Sequence, residues 1–315
     1  MSFHVRLVSR PDRTDSLLEV LGSDPGVSSL VVLPGAARPG GDAVQFDLGP
    51  KSANSVFRQL KSFTGGHRGA VAVEYVDATL GEAPEPPSKH FVMQRDQAPV
   101  WELVEARIRS DAVYAPSFYV LLAIAGLIGA VGILTNSQIL IVGAMVVGPE
   151  YNAIMGVALG LDRRTRRPVL RGLLALLAGF TAAVVLTLLF GLAIRWSGHT
   201  PRLYSAGIRP VSSLINNPNL FSVVVAVLAG IVGVVSLTEA RASALIGVFI
   251  SVTTIPAAAD IGLSLAYSSW GEARGSAFQL LLNVVLLIAV GAAALRIQRF
   301  IWRPRGRPGA PRPPG

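Results

Sequence analysis

The sequence predicts an α-helical polytopic membrane protein that carries a small α+β domain at its N-terminus. Three observations support this. Mean hydropathy is +0.52 with only 15% charged residues, too apolar for an ordinary soluble domain. The apolarity is concentrated after residue 115, while residues 1–110 read as soluble. Finally, six apolar stretches, each near or above the roughly 20 residues that cross a bilayer, lie at 116–135, 137–161, 169–195, 219–237, 242–268 and 274–296. The expected organisation is a domain over 1–80, a linker and interfacial helix over 81–114, a membrane domain over 115–297 and a basic, proline-rich tail over 298–315.

In the N-terminal domain, FHVRLVS (3–9) alternates as a strand does, and PDRTDSLLEVLGS follows with helical spacing. VSSLVVL (27–33) and DAVQFDL (42–48) are strand-like and separated by the turn-rich PGAARPGG. KSANSVFRQLKSF (51–63) reads as a helix and GAVAVEYV (69–76) as a last strand. The order βαββαβ is the split βαβ of ferredoxin-like domains, which include the ligand-binding ACT domains. The fold hosts many functions and names none.

ATLGEAPEPPSKH (78–90) has a linker's composition. VWELVEARIRSDAVY (100–114) reads as an interfacial helix, with Trp101 and Tyr114 near headgroup level. If both termini are cytoplasmic, fourteen arginines flank the spans inside and four outside, which fixes the orientation by the positive-inside bias. The opening MSFHVRLVSRPDR has no apolar core of a cleavable signal peptide.

The second and fifth spans are interrupted. IVGAMVVGP runs into EYNAIMGVALGL, and LIGVFISVTTIP into AAADIGLSLAY. They are the middle members of two groups of three, and three is odd, so the second group is inverted relative to the first. Gly/Pro-interrupted spans in corresponding positions point to a transporter's binding site. A break at mid-membrane frees backbone groups that lipid cannot satisfy, so it persists only where protein, water or substrate supplies partners. Pro149, Glu150 and Asn152 at the first break, and Pro256 and Asp260 at the second, are therefore the candidate substrate or ion ligands. A carboxylate in hydrocarbon costs about 2.5–3.5 kcal/mol on insertion scales, which places Glu150 against a polar cavity. Gly143, Gly148, Gly156 and Gly247 are assigned to the breaks and to helix packing. The competing reading makes both prolines packing kinks and Asp260 a partner for a polar group such as Asn283. TNSQ (135–138) and LTEAR (237–241) are expected turns, and Glu239 and Arg241 are expected to cap the second. Asn216 and Asn217, just before Pro218, are expected to end the outer loop.

Other classes of function are excluded. There is no cysteine for a disulfide or thiolate site. His4, His67, His90 and His199 all lie outside the apolar stretches, so no HExxH protease is present in the membrane. The net charge of +9 sits in DRRTRR (162–167) and RIQRFIWRPRGRP (296–308), which abut apolar spans and suit anionic lipid rather than nucleic acid. No nucleophile–base pair, metal set or cofactor motif is visible, so an enzyme is not expected.

NSQILIVGAMVVGP resembles the membrane family catalogued as domain of unknown function 389, whose hallmark is a Gly-Ala-Met run ending in proline. The resemblance covers residues 113 to about 297 through Asn136-Ser137, Gly143-Ala144-Met145, Pro149, Gly156/Gly160, Gly247 and Pro256. The family's first break commonly has a second proline where this chain has Ala153, and its second a Pro-Pro pair where this chain has Pro256-Ala257. Positions matching Glu150, Tyr151 and Asn152 are usually less polar, which makes Glu150 a private feature of this chain. The resemblance implies the fold and no activity. The reading that follows is an uncharacterised multi-pass protein of the cytoplasmic (inner) membrane, a homo-oligomer in the lipid bilayer that moves a small solute or ion. The alternative is a ligand-regulated channel or signalling protein controlled by the N-terminal domain.

Overall fold

The computed structural model describes residues 2–38, 40–64, 71–76, 101–238 and 253–301. The chain divides into two compact units, Met1–Leu103 and Val104–Gly315. The predicted linker at 78–90 lies outside the described residues, as do Glu239, Arg241, Gly247 and most of the basic tail.

The first unit runs β1 (Ser2–Ser9), α1 (Pro11–Gly22), β2 (Val27–Leu33), β3 (Asp42–Leu48), α2 (Pro50–Thr64) and β4 (Ala72–Val76). Its four strands form one antiparallel sheet in the order β2-β3-β1-β4. Strict alternation in β3 buries Val44, Phe46 and Leu48, and β1 does the same with Phe3, Val5 and Leu7. These pack with Leu17 and Leu21 of α1 and Ala53, Val56, Phe57 and Leu60 of α2 into one core. Asp42 fastens three pieces of chain together. Its carboxylate accepts from Thr14 Oγ1 at 2.6 Å and from the Gly35 N–H at 2.8 Å.

The helix α3 (Trp101–Asp111) precedes a mostly helical second unit. Its further helices are α4 (Pro116–Leu134), α5 (Gln138–Val147), α6 (Glu150–Asp162), α7 (Arg166–Trp196), α8 (Arg202–Ser205), α9 (Pro210–Ile215), α10 (Leu220–Thr238), α11 (Thr254–Ala266) and α12 (Trp270–Ile301). Four of them, α4, α7, α10 and α12, are long and apolar enough to cross a membrane, as a membrane protein's are. The pair α5–α6 makes a further, broken candidate, bent by 51°. Of the expected fifth span only α11 is described, and it is too short to cross alone.

The two sets of helices repeat one spacing. Pro116 and Leu220, Glu150 and Thr254, and Arg166 and Trp270 begin equivalent helices, each pair 104 residues apart. Lengths agree as well: 19 and 19 residues for α4 and α10, 13 and 13 for α6 and α11, 31 and 32 for α7 and α12. Even the links match. Arg164 and Ser268, two residues past α6 and α11, have φ of 53° and 59°. The next N–H in each link closes the helix end, Thr165 to the Gly160 carbonyl at 2.9 Å and Ser269 to the Ser264 carbonyl at 2.7 Å.

Packing follows the same correspondence. α4 packs on α7 as α10 does on α12, and α6 lies on α12 as α11 lies on α7. The backbones come close where side chains are absent. A Cβ on Gly262 of α11 would strike Thr187 Oγ1 and lie 2.6 Å from the Val184 carbonyl oxygen of α7.

Candidate functional site

Proline has no N–H to donate, and it drives the preceding residue to extended geometry. Gly148 is accordingly extended, at φ −71° and ψ 131°, and α5 stops before it. Pro149 caps α6, which restarts at Glu150. The start of α11 is built differently. The described helix α11 begins at Thr254, so Pro256 sits within its first turn, where a missing N–H leaves no bond unmade. Pro256 is thus the third residue of α11, and the preceding part of the expected fifth span lies outside the described residues. By the shared spacing Pro149 matches Thr253, and Pro256 matches Asn152.

α7 relates the two half-helices. Three residues separate its start from the end of α6, and near its far end Arg195 donates to the Ala266 carbonyl of α11 at 2.7 Å. α6 and α11 therefore point toward opposite ends of α7, with their N-termini facing each other between. The lengths agree: α7, at 31 residues, spans about 46 Å and each half-helix about 20 Å.

At the meeting point Thr254 Oγ1 donates to Glu150 Oε1 at 2.7 Å. Glu150 is 6% exposed, and among the described residues its Oε2 has no hydrogen-bond partner. Two helix N-termini present partial positive charge here, so a carboxylate is the favoured occupant. Gly148 lets the groups close up, because a Cβ there would strike both Ile255 Cδ1 and Glu150 Oε2. Behind this junction the Gln279 amide donates to Asn283 Oδ1 at 3.1 Å, and Asn283 donates to Thr253 Oγ1 at 3.2 Å. A cleft of about 220 Å³ reaches Thr253, Gln279 and Asn283 past Asn219 and Ser222 at the start of α10.

Asp260 lies elsewhere along α11, about two turns beyond Thr254, and is fully buried. It accepts from Ser212 of α9 at 2.7 Å and Ser276 of α12 at 2.6 Å. The suggested pairing with Asn283 is not made. Asn152 is half-buried and its N–H bonds the Pro149 carbonyl. Gly143 is exposed and a Cβ on it would meet nothing, whereas Gly156 faces Ala112 and the Tyr114 hydroxyl. Sequence reasoning missed Thr254, Thr253, Gln279 and the two serines. The available signals were the Thr-Thr pair before Ile-Pro and the i,i+4 spacing of Gln279 and Asn283 inside an apolar span.

Ionic networks close both ends of α7. At its start Glu105 pairs with Arg163 and with Arg299 at 3.4 Å, and Asp162 pairs with Arg299 at 2.6 Å. At the other end Arg209 lies 4.2 Å from the Tyr204 ring, bonds Ser269 at 2.8 Å and pairs with Glu272 at 2.5 Å. Asn216 ends α9.

No curated protein and no solved structure matches the chain. Residues 145–289, from the first break through most of α12, match the family model described as Domain of unknown function (DUF389).

Proposed function

We propose that the chain is a secondary transporter of a small solute or ion in the cytoplasmic membrane. In this reading it has six spans in two inverted repeats, an interrupted second and fifth span, and a ferredoxin-like domain in the cytoplasm. The observation that carries the proposal is the meeting of two half-helix N-termini at Glu150 and Thr254, each half reaching one end of the bundle. The repeated spacing of 104 residues supports the two-fold relation. Discontinuous helices at the midplane of such repeats are where transporters hold substrate and coupling ions.

Glu150 is the working residue. Its Oε1 is held by Thr254 while Oε2 is available to a proton or small cation. The cleft past Asn219 supplies the approach from the outer side, and the Thr253–Asn283–Gln279 chain supplies polar partners for what arrives. Asp260, with its own serine partners, clasps α9 onto α11 and α12 instead of sharing that junction.

Proteoliposomes test the proposal, by uptake of small solutes under an imposed proton or sodium gradient. Gradient-dependent uptake that is lost in Glu150→Gln is expected. Channel-like currents with no gradient coupling would overturn it in favour of the gated-channel alternative.

A further inference from the structure

The link between α6 and α7 borders a second cavity, of about 700 Å³, far larger than the cleft at the breaks. Its wall is apolar, with Ile108, Val113, Leu159 and Pro168. Its rim carries Arg109, Arg163, Arg166, Arg167 and Arg171. Glu105 pairs with Arg109 and Arg163, whereas Arg166, Arg167 and Arg171 have no ion-pair partner among the described residues. The start of α7 adds to the positive field. Its first turn has no acidic residue, and the capping Thr165 turns its hydroxyl back to the Gly160 carbonyl.

The other half of the molecule shows how such a groove can be filled. Advancing 104 residues takes Ile108, Gly156 and Gly172 to Ser212, Asp260 and Ser276. There the three residues form the buried carboxylate–hydroxyl clasp, and Arg209 of the preceding segment bonds Ser269 and Glu272. Protein fills that groove. In the first half no such clasp is built: Ile108 and Gly156 line the cavity, a Cβ on Gly156 would meet Ala112 and the Tyr114 hydroxyl, and Gly172 packs against Val157. The cavity lies where apolar spans give way to an arginine run, at headgroup depth.

We propose that this cavity binds an anionic phospholipid, with its phosphodiester on Arg166, Arg167 and Arg171 and an acyl chain along Ile108, Val113 and Leu159. Planar guanidinium forks suit phosphate oxygens. The apolar wall selects a lipid over free phosphate, which would leave that wall bare.

The test uses the full chain in neutral detergent, titrated with phosphatidylglycerol, phosphatidylcholine or inorganic phosphate. Bound lipid is read by native mass spectrometry and stability by the unfolding midpoint. Phosphatidylglycerol should bind about tenfold tighter than phosphatidylcholine, which the positive charge of Arg166, Arg167 and Arg171 makes the natural outcome. A preference below threefold overturns the site. So does displacement of the lipid by millimolar phosphate, which would assign the arginines to the free anion. In R166Q/R167Q/R171Q the preference should vanish, and its persistence would overturn the assignment. Should that variant fail to insert, R166K/R167K/R171K keeps the charge and removes the forks. Its affinity for phosphatidylglycerol should drop threefold or more, and unchanged affinity would sink the proposal.

Discussion

Thr254 and Glu150 stand 104 residues apart in the chain and 2.7 Å apart in the fold, each the first residue of a half-helix. Glutamine at 150 keeps an acceptor for Thr254 while removing a buried charge. Glu150→Gln should therefore fold with unchanged or raised stability and lose gradient-driven uptake. Thr254→Val removes the donor and should cost about 2 kcal/mol, because the acceptor is ionisable and buried. Full uptake by Glu150→Gln in proteoliposomes would reduce the junction to a packing contact.

Asp260 should behave in the opposite way. Asparagine can still accept one serine hydroxyl, so Asp260→Asn should retain uptake with modest destabilisation. Asp260→Ala strands Ser212 and Ser276, at a cost of roughly 1–3 kcal/mol. Thermal unfolding in detergent measures the difference between the two variants. Loss of uptake in a stable Asp260→Asn protein would return this carboxylate to the transport site.

Gly262 is fixed by the approach of two backbones. Gly262→Ala should lower stability by more than about 2 kcal/mol, since the new methyl meets a main-chain carbonyl that cannot swing aside. An unfolding midpoint matching the parent would show that α7 and α11 can separate freely.

The proposed topology is open to labelling in this cysteine-free chain. A cysteine at Ser197 should react from outside and one at Arg305 from inside. A cysteine at Thr165 should also label from inside. Outside labelling at Thr165 would make the bent α5–α6 pair a re-entrant hairpin.

The first unit should weaken in acid. Thr14, then the Gly35 N–H, hold the Asp42 carboxyl below the usual carboxylate range, and His4 does the same for Asp47. A depressed native pKa gives stability that is complete above the unfolded value of about 4 and is lost as pH falls through the native values. Residues 1–80 expressed alone should therefore fold cooperatively, with a lower denaturation midpoint at pH 2 than at pH 7. Thr14→Val should narrow that gap. Equal midpoints at both pH values would remove these two carboxylates from the account.

Strict alternation of apolar and polar residues makes the sheet legible in the sequence. Val5 and Leu7 face Phe46 and Val44 across β1 and β3, and each lies two residues from its buried neighbour. The first break is legible too, because proline announces it. The start of α11 is not legible, because Thr253 precedes it as Pro149 precedes α6, and threonine carries no such signature. Asp260's partners are beyond reach for a different reason. Ser212 and Ser276 lie 48 and 16 residues away, and serine in an apolar run looks the same whether it packs, caps or donates to a carboxylate.

The three-residue links after α6 and α11 set the phase of the long helices that follow. One inserted residue would turn α7 by about 100°, given 3.6 residues per turn, and carry Gly172, Ala175, Leu176 and Gly179 from the bundle interior out to lipid. Under the proposed two-fold relation, side chains in the two halves are free to differ, as Glu150 and Thr254 do, while the count of residues between them is not. Descent from a duplicated ancestor would survive here as an arithmetic of spacing long after the letters had ceased to match.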